Sequence, residues 1–260
     1  MGILNITPDS FSDGGLYLDA QSALDRALLM ESQGAAMIDV GAESTRPGAA
    51  AVSEEEELRR LMPVMGLLVR KLRIPISVDT YKFEVMRRML DLGARVINDV
   101  RAMREDVRIP KLLAERQAPV ILMHSRGTPD QMQKDTRYRD LVGEVIDDLQ
   151  AACAAGMRAG MRPENIAVDP GIGFGKSAEG SWELLRGIPQ ISEALKRPIL
   201  IGLSRKSFLT ATFGLDRDKI GIPMAAAHLS ALTGGARILR AHDIIEALQV
   251  IEVFERTRNR

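Results

Sequence analysis

Four short apolar runs in this chain each end on a side chain that can accept hydrogen bonds: Asp39, Asp79, Asn98 and Asp169. A strand that is buried on both faces reads as a continuous apolar run, so a polar residue at its carboxyl end faces an opening. Converging carboxylate and amide oxygens would accept N–H donors from a ligand with an amidine-like or guanine-like edge. The carboxylates would also stabilise positive charge that develops on that ligand. For Asp39 a second interpretation, a cap for the following helix, stays equally open.

Cations and one hydroxyl follow other apolar runs, and together they predict an anion site. Arg240 and His242 follow the last run, and Lys206 and Ser207 follow the run before it. Ser207 stands at a predicted helix start, where backbone N–H groups and the helix dipole add to the positive charge of Lys206. Arg46 lies in a loop rich in glycine and proline.

The metal-ligating residue types favour magnesium over zinc. The chain has three histidines and one cysteine, and it has no His-Glu-x-x-His motif or paired cysteines, so a zinc site is not expected. Asn5, Asp9 and Asp13 instead offer oxygen ligands of the kind that a magnesium ion shared with phosphates accepts.

Of four further residues, Met123 and His124 have both a functional and a structural interpretation. Met123 and Phe174 could stack on a flat ring, although Met123 fits a core position equally well. His124 is either a site residue or a strand-end histidine with its hydrogen bonds satisfied, and His228 is interpreted as a packing residue of a predicted helix.

Eight apolar runs with polar carboxyl ends predict eight strands. They cover residues 2–5, 37–39, 76–79, 96–99, 120–124, 166–169, 199–204 and 238–242. Stretches of helical periodicity lie between them, at residues 20–33, 53–70, 82–92, 138–160, 181–195 and 243–256.

Alternating strands and helices indicate a parallel α/β sheet with right-handed crossovers. The 260 residues are close to the roughly 250 of a (β/α)8 barrel, whose active site lies at the carboxyl ends of the strands and which often binds phosphate after the seventh and eighth strands. We therefore predict a single eight-stranded (β/α)8 TIM-barrel domain over residues 1–260; an open doubly wound sheet is the alternative.

Composition argues against several partner classes. The 35 basic and 35 acidic residues give a formal charge of zero, so no electrostatic argument supports a nucleic-acid or membrane partner. A single cysteine, Cys153, fits a reducing cytoplasm. No apolar run reaches the roughly 18 residues of a spanning helix, and the amino terminus does not resemble a secretory signal.

Eight segments together resemble the dihydropteroate synthases, pterin-binding TIM-barrel enzymes of folate synthesis. The segments are residues 3–15 (ILNITPDSFSDGG), 41–48 (GAESTRPG), 77–80 (SVDT), 97–100 (INDV), 122–129 (LMHSRGTP), 169–176 (DPGIGFGK), 202–208 (GLSRKSF) and 240–243 (RAHD). They follow the family's order and span almost the whole chain. One departure is Ala42, where the family usually has glycine.

The resemblance implies a transferase reaction between two small molecules. The substrates would be 6-hydroxymethyl-7,8-dihydropterin diphosphate and p-aminobenzoate, and the products 7,8-dihydropteroate and pyrophosphate. The diphosphate would leave dissociatively, with Mg2+ as cofactor. The resemblance also implies a homodimer and a target of sulfonamides.

The same resemblance implies a role for each site residue. The pterin would be held by Asp79, Asn98, Asp169, Lys206, Arg240, Met123 and Phe174. The diphosphate would be bound by Asn5, Arg240 and His242, with Asn5 also the metal ligand. The p-aminobenzoate would contact Ser44, Thr45, Arg46, Phe174, Lys206 and Ser207. Catalysis would depend on Asp79, Asp169, Lys206 and Asp13.

Two other functions remain as alternatives. A pterin-dependent methyltransferase would share the barrel and the pterin carboxylates, but methyl transfer needs no diphosphate site. A catalytically silent pterin-binding paralogue would keep the fold without the reaction.

Overall fold

Strands and helices alternate through the computed structural model, which describes residues 1–6, 15–44, 51–127, 131–216 and 218–258. The strands are β1 (Gly2–Asn5), β2 (Ile38–Gly41), β3 (Ile76–Asp79), β4 (Val96–Asp99), β5 (Val120–Met123), β6 (Ile166–Asp169), β7 (Ile199–Ile201) and β8 (Ala236–Leu239). The helices are α1 (Gly15–Ser32), α2 (Glu54–Lys71), α3 (Phe83–Leu92), α4 (Ile109–Arg116), α5 (Leu141–Arg158), α6 (Ala178–Arg186), α7 (Ile188–Leu195), α8 (Ser207–Phe213), α9 (Gly221–Thr233) and α10 (Ile244–Thr257).

The eight strands form one parallel sheet that closes on itself. Each strand pairs with the next in chain order, from β1 to β8. Gly2 forms a parallel bridge with Ala241, just beyond β8, and the Ile3 amide donates to the Ala241 carbonyl at 3.0 Å. The Met1 amine donates to the Leu239 carbonyl at 2.9 Å. The predicted (β/α)8 barrel is therefore confirmed, and the open doubly wound sheet is wrong.

Local sequence accounts for most helix boundaries. The side chain of Ser53 accepts a hydrogen bond from the Glu56 amide at 3.2 Å and caps α2, as its acidic first turn predicts. The single helix predicted over residues 181–195 is wrong, because α6 ends before Gly187 and α7 starts anew at Ile188. Pro189 causes the break: it has no backbone N–H to continue α6 but suits the first turn of α7.

Apolar residues fill the barrel and the layer around it. Inside the barrel, Val96, Ile121 and Leu200 form a small buried cluster. A larger core lies where the outer faces of the strands meet the helices, and Cys153 belongs to it. No helix in the described ranges is long and apolar enough to cross a membrane. The interior is thus packed, which confines ligand sites to the ends of the barrel.

One buried histidine should make the fold sensitive to acid. His228 of α9 is only 2% exposed, its Nε2 has no partner among the described residues, and burial lowers its pKa to about 4. The neutral form is therefore favoured in the native state. Above the unfolded pKa of about 6.5, this residue does not lower the free energy of unfolding. As the pH falls from there towards 4, the free energy of unfolding decreases, because the unfolded state binds a proton that the native state does not.

We expect His228→Leu to remove this part of the acid sensitivity. Between pH 7 and pH 5, the free energy of unfolding of the wild type should fall by about 2 kcal/mol more than that of the variant. Urea unfolding of both proteins at the two pH values measures the difference. Equal losses would show that His228 does not titrate as its burial requires.

Candidate active site

The carboxyl ends of β2, β3 and β4 bring three of the predicted acceptors together. Gly41 pairs with Asp79 in the β2–β3 register, and Asp79 pairs with Asn98 in the β3–β4 register. Asp39 pairs with Ser77, two residues earlier, and so lies one layer deeper in the barrel. Parallel register thus places Asp79 and Asn98 side by side at the mouth, with Asp39 beneath them.

Arg240, just beyond β8, connects these groups. Its Nε donates to Asp39 Oδ2 at 2.6 Å, and its Nη2 donates to Asp79 Oδ2 at 2.8 Å. The Asn98 side-chain amide also donates to Asp39 Oδ2, at 3.0 Å. Asp39 is therefore no helix cap. It holds Arg240 and Asn98 in place from below.

Three oxygens of this cluster have no hydrogen-bond partner among the described residues. They are Oδ1 of Asp39, of Asp79 and of Asn98, and all three are buried. A buried acceptor without a partner costs about 1–3 kcal/mol, so three neighbouring ones are not expected by chance in a stable fold. The two at the barrel mouth, on Asp79 and Asn98, are candidate acceptors for the N–H groups of a ligand.

Burial changes the ionisation of Asp79, the carboxylate that lies nearer the barrel mouth. Burial raises the pKa of Asp79 to about 7; Arg240 opposes the change and Asp39 adds to it. The guanidinium itself stays charged, because Asp39 and Asp79 raise the pKa of Arg240 although burial acts to lower it. Asp79 is thus poised near neutrality, as is common at functional sites.

Asp169, at the end of β6, and Lys206, after β7, influence each other's ionisation. Burial raises the pKa of Asp169, against the hydrogen bond that its Oδ1 accepts from the Gly171 amide at 2.7 Å. Burial lowers the pKa of Lys206 to about 8, with Asp169 opposing the change. The Lys206 ammonium lies 3.8 Å from the centre of the Phe174 ring, so the two predicted residues form one wall.

The predicted anion-binding residues converge from both sides of the barrel seam. Ser204, after β7, shares a hydrogen bond of 2.9 Å with His242 Nδ1, and its Oγ accepts from the His242 amide at 3.2 Å. Asn5 ends β1, the strand that the seam joins to the segment after β8. Ser204 was missed as a site residue, although its position at the end of an apolar run was a usable signal.

Other predicted residues lie close by or outside the described ranges. Met123 is buried opposite Asp169 in the β5–β6 register. Ser207 begins α8, and Ser44 follows β2 and is partly buried. Asp9, Asp13, Thr45 and Arg46 lie outside the described residues.

For His124 the structure supports the interpretation of a satisfied strand-end residue. The side chain is 3% exposed. Its Nδ1 lies 2.7 Å from Lys176 Nζ, and its Nε2 lies 3.3 Å from a carboxylate oxygen of Asp148. Burial and the nearby Lys176 lower its pKa to about 2, so the ring is neutral.

A buried charged cluster next to β3 was not predicted. The Lys82 ammonium donates to Glu43 and, at 2.5 Å, to Glu57, while the Tyr81 hydroxyl donates to Glu43 at 2.9 Å. Although burial acts to lower it, the carboxylates raise the pKa of Lys82. Glu43 directly precedes Ser44, so the cluster fixes the segment from which the β2–α2 loop departs.

Comparison with known proteins points to one family. A family model described as pterin binding enzyme matches residues 1–242. The dihydropteroate synthase of Synechocystis sp. is 43% identical over 256 residues, which are 98% of this chain and 88% of that protein.

Two solved structures are similar over nearly their whole length. Dihydropteroate synthase from Clostridium difficile, crystallised in the presence of pteroic acid, has a TM-score of 0.94 and 37% identity, covering 100% of this chain and 96% of that one. The enzyme from Yersinia pestis in complex with a sulfonamide drug has a TM-score of 0.92 and 39% identity, covering 99% and 93%.

Proposed function

Because this chain belongs to the pterin-binding enzymes, and among them to the dihydropteroate synthases, we propose that it condenses 6-hydroxymethyl-7,8-dihydropterin diphosphate with p-aminobenzoate. The products are 7,8-dihydropteroate and pyrophosphate. The C. difficile relative was crystallised in the presence of pteroic acid, in which a pterin and p-aminobenzoate are already joined.

The single observation that carries this proposal is the set of buried acceptors without partners. Oδ1 of Asp79 and Oδ1 of Asn98 have no N–H donor among the described residues, and the aminopyrimidine edge of a pterin supplies several donors in one plane. Asp79 and Asn98 accept directly, and Asp169 and Lys206 contact the far edge of the ring. Met123 and Phe174 lie against its faces.

The carboxylates of the site favour a dissociative reaction. When the diphosphate leaves, positive charge develops on the pterin and its methylene carbon. Asp79 and Asp169 are fixed in a low-dielectric site before that charge appears, and such preorganised groups stabilise a transition state strongly. The amine of p-aminobenzoate is already neutral and nucleophilic, so the protein's main task is to exclude water and align the amine with the methylene carbon.

The diphosphate requires positive charge at the seam between β8 and β1. Arg240 and His242 face the leaving group together with Asn5, and Ser204 orients the His242 ring. The described residues hold no cluster of three or more His, Cys, Asp or Glu side chains that could enclose a metal ion. Magnesium, however, is often bound by one or two protein oxygens and several phosphate oxygens.

The side-chain oxygen of Asn5 fits that mode of binding, so Asn5 would hold Mg2+. The ion would neutralise the negative charge that accumulates on the leaving pyrophosphate.

The second substrate lies between the Phe174–Lys206 wall and the start of α8. Its ring packs on Phe174 and on the alkyl part of Lys206, and its carboxylate accepts from Ser207. Ser44, Thr45, Arg46 and Asp13 would also contact it.

Pyrophosphate release tests the proposed reaction. The full chain should release pyrophosphate from the pterin diphosphate when p-aminobenzoate and Mg2+ are both present, with one dihydropteroate formed per pyrophosphate. Removal of Mg2+ with a chelator should abolish release. A pterin-dependent methyltransferase and a silent pterin-binding protein both predict no release under any of these conditions.

We also propose that the chain acts as one domain over residues 1–260, as a cytoplasmic homodimer. Its one cysteine, Cys153, is buried and unpaired, which suits a reducing compartment. Most soluble oligomers are symmetric dimers. Sedimentation of the purified protein measures the oligomeric state.

A further inference from the structure

Lys176 is buried without a carboxylate partner, which is rare for lysine. It is 3% exposed, and none of the ion pairs among the described residues includes it. Its Nζ instead lies 3.1 Å from the carbonyl oxygen of His124, 3.1 Å from that of Pro170 and 3.0 Å from that of Gly171. The fourth neighbour is Nδ1 of His124, at 2.7 Å.

These contacts define a protonation pattern. The three carbonyl oxygens can only accept, and so can Nδ1 of a neutral His124 ring whose hydrogen is on Nε2. The three hydrogens of the Lys176 ammonium group are therefore shared among four acceptors. The neutral His124 ring accepts at Nδ1 and keeps its hydrogen on Nε2, towards the carboxylate of Asp148 at 3.3 Å. Burial lowers the pKa of Lys176 well below its ordinary value, with Asp169 opposing the change, while the four surrounding acceptors favour the ammonium form.

The carbonyl groups that Lys176 contacts lie at the end of β5 and in the turn after β6, next to the candidate active site. Asp169 is the last residue of β6, and its Oδ1 accepts from the Gly171 amide at 2.7 Å. The Asp169 carbonyl accepts from the His124 amide at 2.9 Å, and the Phe174 amide donates to the Gly171 carbonyl at 3.0 Å. One ammonium group therefore ties the end of β5 to the turn that orients both Asp169 and Phe174.

Gly171 shows how tight this turn is. Its φ is +66°, and a Cβ built there would lie 1.8 Å from the His124 carbonyl oxygen. Three carbonyl oxygens crowded into so small a space repel one another unless a donor lies between them. A water molecule has only two hydrogens to share among these acceptors, whereas an ammonium group has three.

From this geometry we infer that Lys176 is a positioning residue for the pterin and p-aminobenzoate sites, setting Asp169 and Phe174 through the turn at residues 170–175. The inference rests on the proposed function. Lys176 touches neither substrate. Its loss acts by displacing the two residues that do, and a displacement of about 1 Å can lower a rate by about 100-fold.

Lys176→Met tests the inference directly, because methionine has similar length but no N–H donor. We expect its dissociation constant for the pterin diphosphate, measured by calorimetry, to rise about 10-fold or more, and kcat/KM to fall about 100-fold. Ile191→Ala is the matched control, since Ile191 of α7 is fully buried in the larger core between strands and helices. It should lower Tm without changing the dissociation constant.

A pair of His124 variants gives a test that survives if Lys176→Met does not fold. The side-chain oxygen of His124→Asn can replace Nδ1 as the acceptor, whereas His124→Leu cannot accept at all. If the hydrogen bond to Lys176 matters, the Asn variant should bind the pterin several-fold more tightly than the Leu variant. A packing role predicts the reverse order, because leucine suits a buried position better.

Two results would overturn the inference: Lys176→Met with lowered Tm but wild-type pterin affinity and kcat/KM, or His124→Leu binding as tightly as His124→Asn. The proposed function fails separately. If the wild type binds the pterin diphosphate but releases no pyrophosphate, the reaction is wrong, and the dissociation constants of the variants still decide the role of Lys176. A wild type that does not bind the pterin would overturn both.

Discussion

Asp79→Asn should lower kcat/KM for the pterin diphosphate by about 100-fold or more, mainly through weaker binding of the pterin. In the wild type, Oδ2 of Asp79 accepts from Arg240 at 2.8 Å while Oδ1 has no partner among the described residues. An asparagine has one oxygen and one NH2 group, so it cannot accept from the arginine and from the ligand together. It also lacks the charge that stabilises the developing cation.

The pH profile gives this prediction a second readout. Because burial raises the pKa of Asp79 to about 7, kcat/KM of the wild type should fall as the pH drops below 7 and the carboxylate is protonated. The Asp79→Asn variant should not show this decrease in kcat/KM below pH 7. Asp91→Asn is the control, since Asp91 pairs with Arg87 and Arg116 on the surface and should leave the profile unchanged. Wild-type pterin affinity in Asp79→Asn would refute the proposed role.

Arg240→Met should have the largest effect, a loss of about 1000-fold or more in kcat/KM, because one group serves both the pterin site and the leaving diphosphate. The variant leaves Asp39 and Asp79 facing each other without a cation. Removing one partner of a buried ion pair costs about 3–5 kcal/mol, and protonation of one carboxylate will offset part of that cost. Steady-state kinetics and urea unfolding measure the two effects.

Two further variants separate charge from geometry. Arg240→Lys keeps the charge, but one ammonium group cannot reproduce the forked contacts to two carboxylates, so it should recover only part of the loss. Arg237→Met removes an exposed arginine of β8, three residues before Arg240, and should remain close to wild type. An Arg240→Met enzyme within 10-fold of wild type would show that the diphosphate does not depend on this residue.

The sequence predicted the barrel and most of its mouth because both follow from local patterns. A buried parallel strand has apolar residues on both faces, so the end of each apolar run marks where a side chain enters the site. Asp79, Asn98 and Asp169 were predicted to lie at the mouth in this way, and their roles there stay predictions. The break between α6 and α7 was missed because the helical periodicity continues through Pro189.

Long-range pairing could not be predicted in the same way. Asp39 has the pattern of a strand-end cap, and only the register of β2 with β3 shows that it lies beneath Asp79. Lys82 lies 39 residues from Glu43, and no local pattern connects them. From the sequence alone Lys176 would be interpreted as a surface residue. Only the fold shows that three carbonyl oxygens surround its side chain. The roles of Asp13, Thr45 and Arg46 stay predictions.

The contacts among Asp39, Asp79 and Arg240 also constrain how this protein can evolve. Replacing Arg240 leaves two carboxylates in the barrel interior without a cation, and replacing either carboxylate removes one of the two partners that orient Arg240. Each single step therefore passes through a less stable or less active intermediate. Strong epistasis of this kind means that the three residues can change only together. Related proteins should therefore retain all three. Sequence drift within the mouth should therefore concentrate at neighbours that carry no charge, such as Met123.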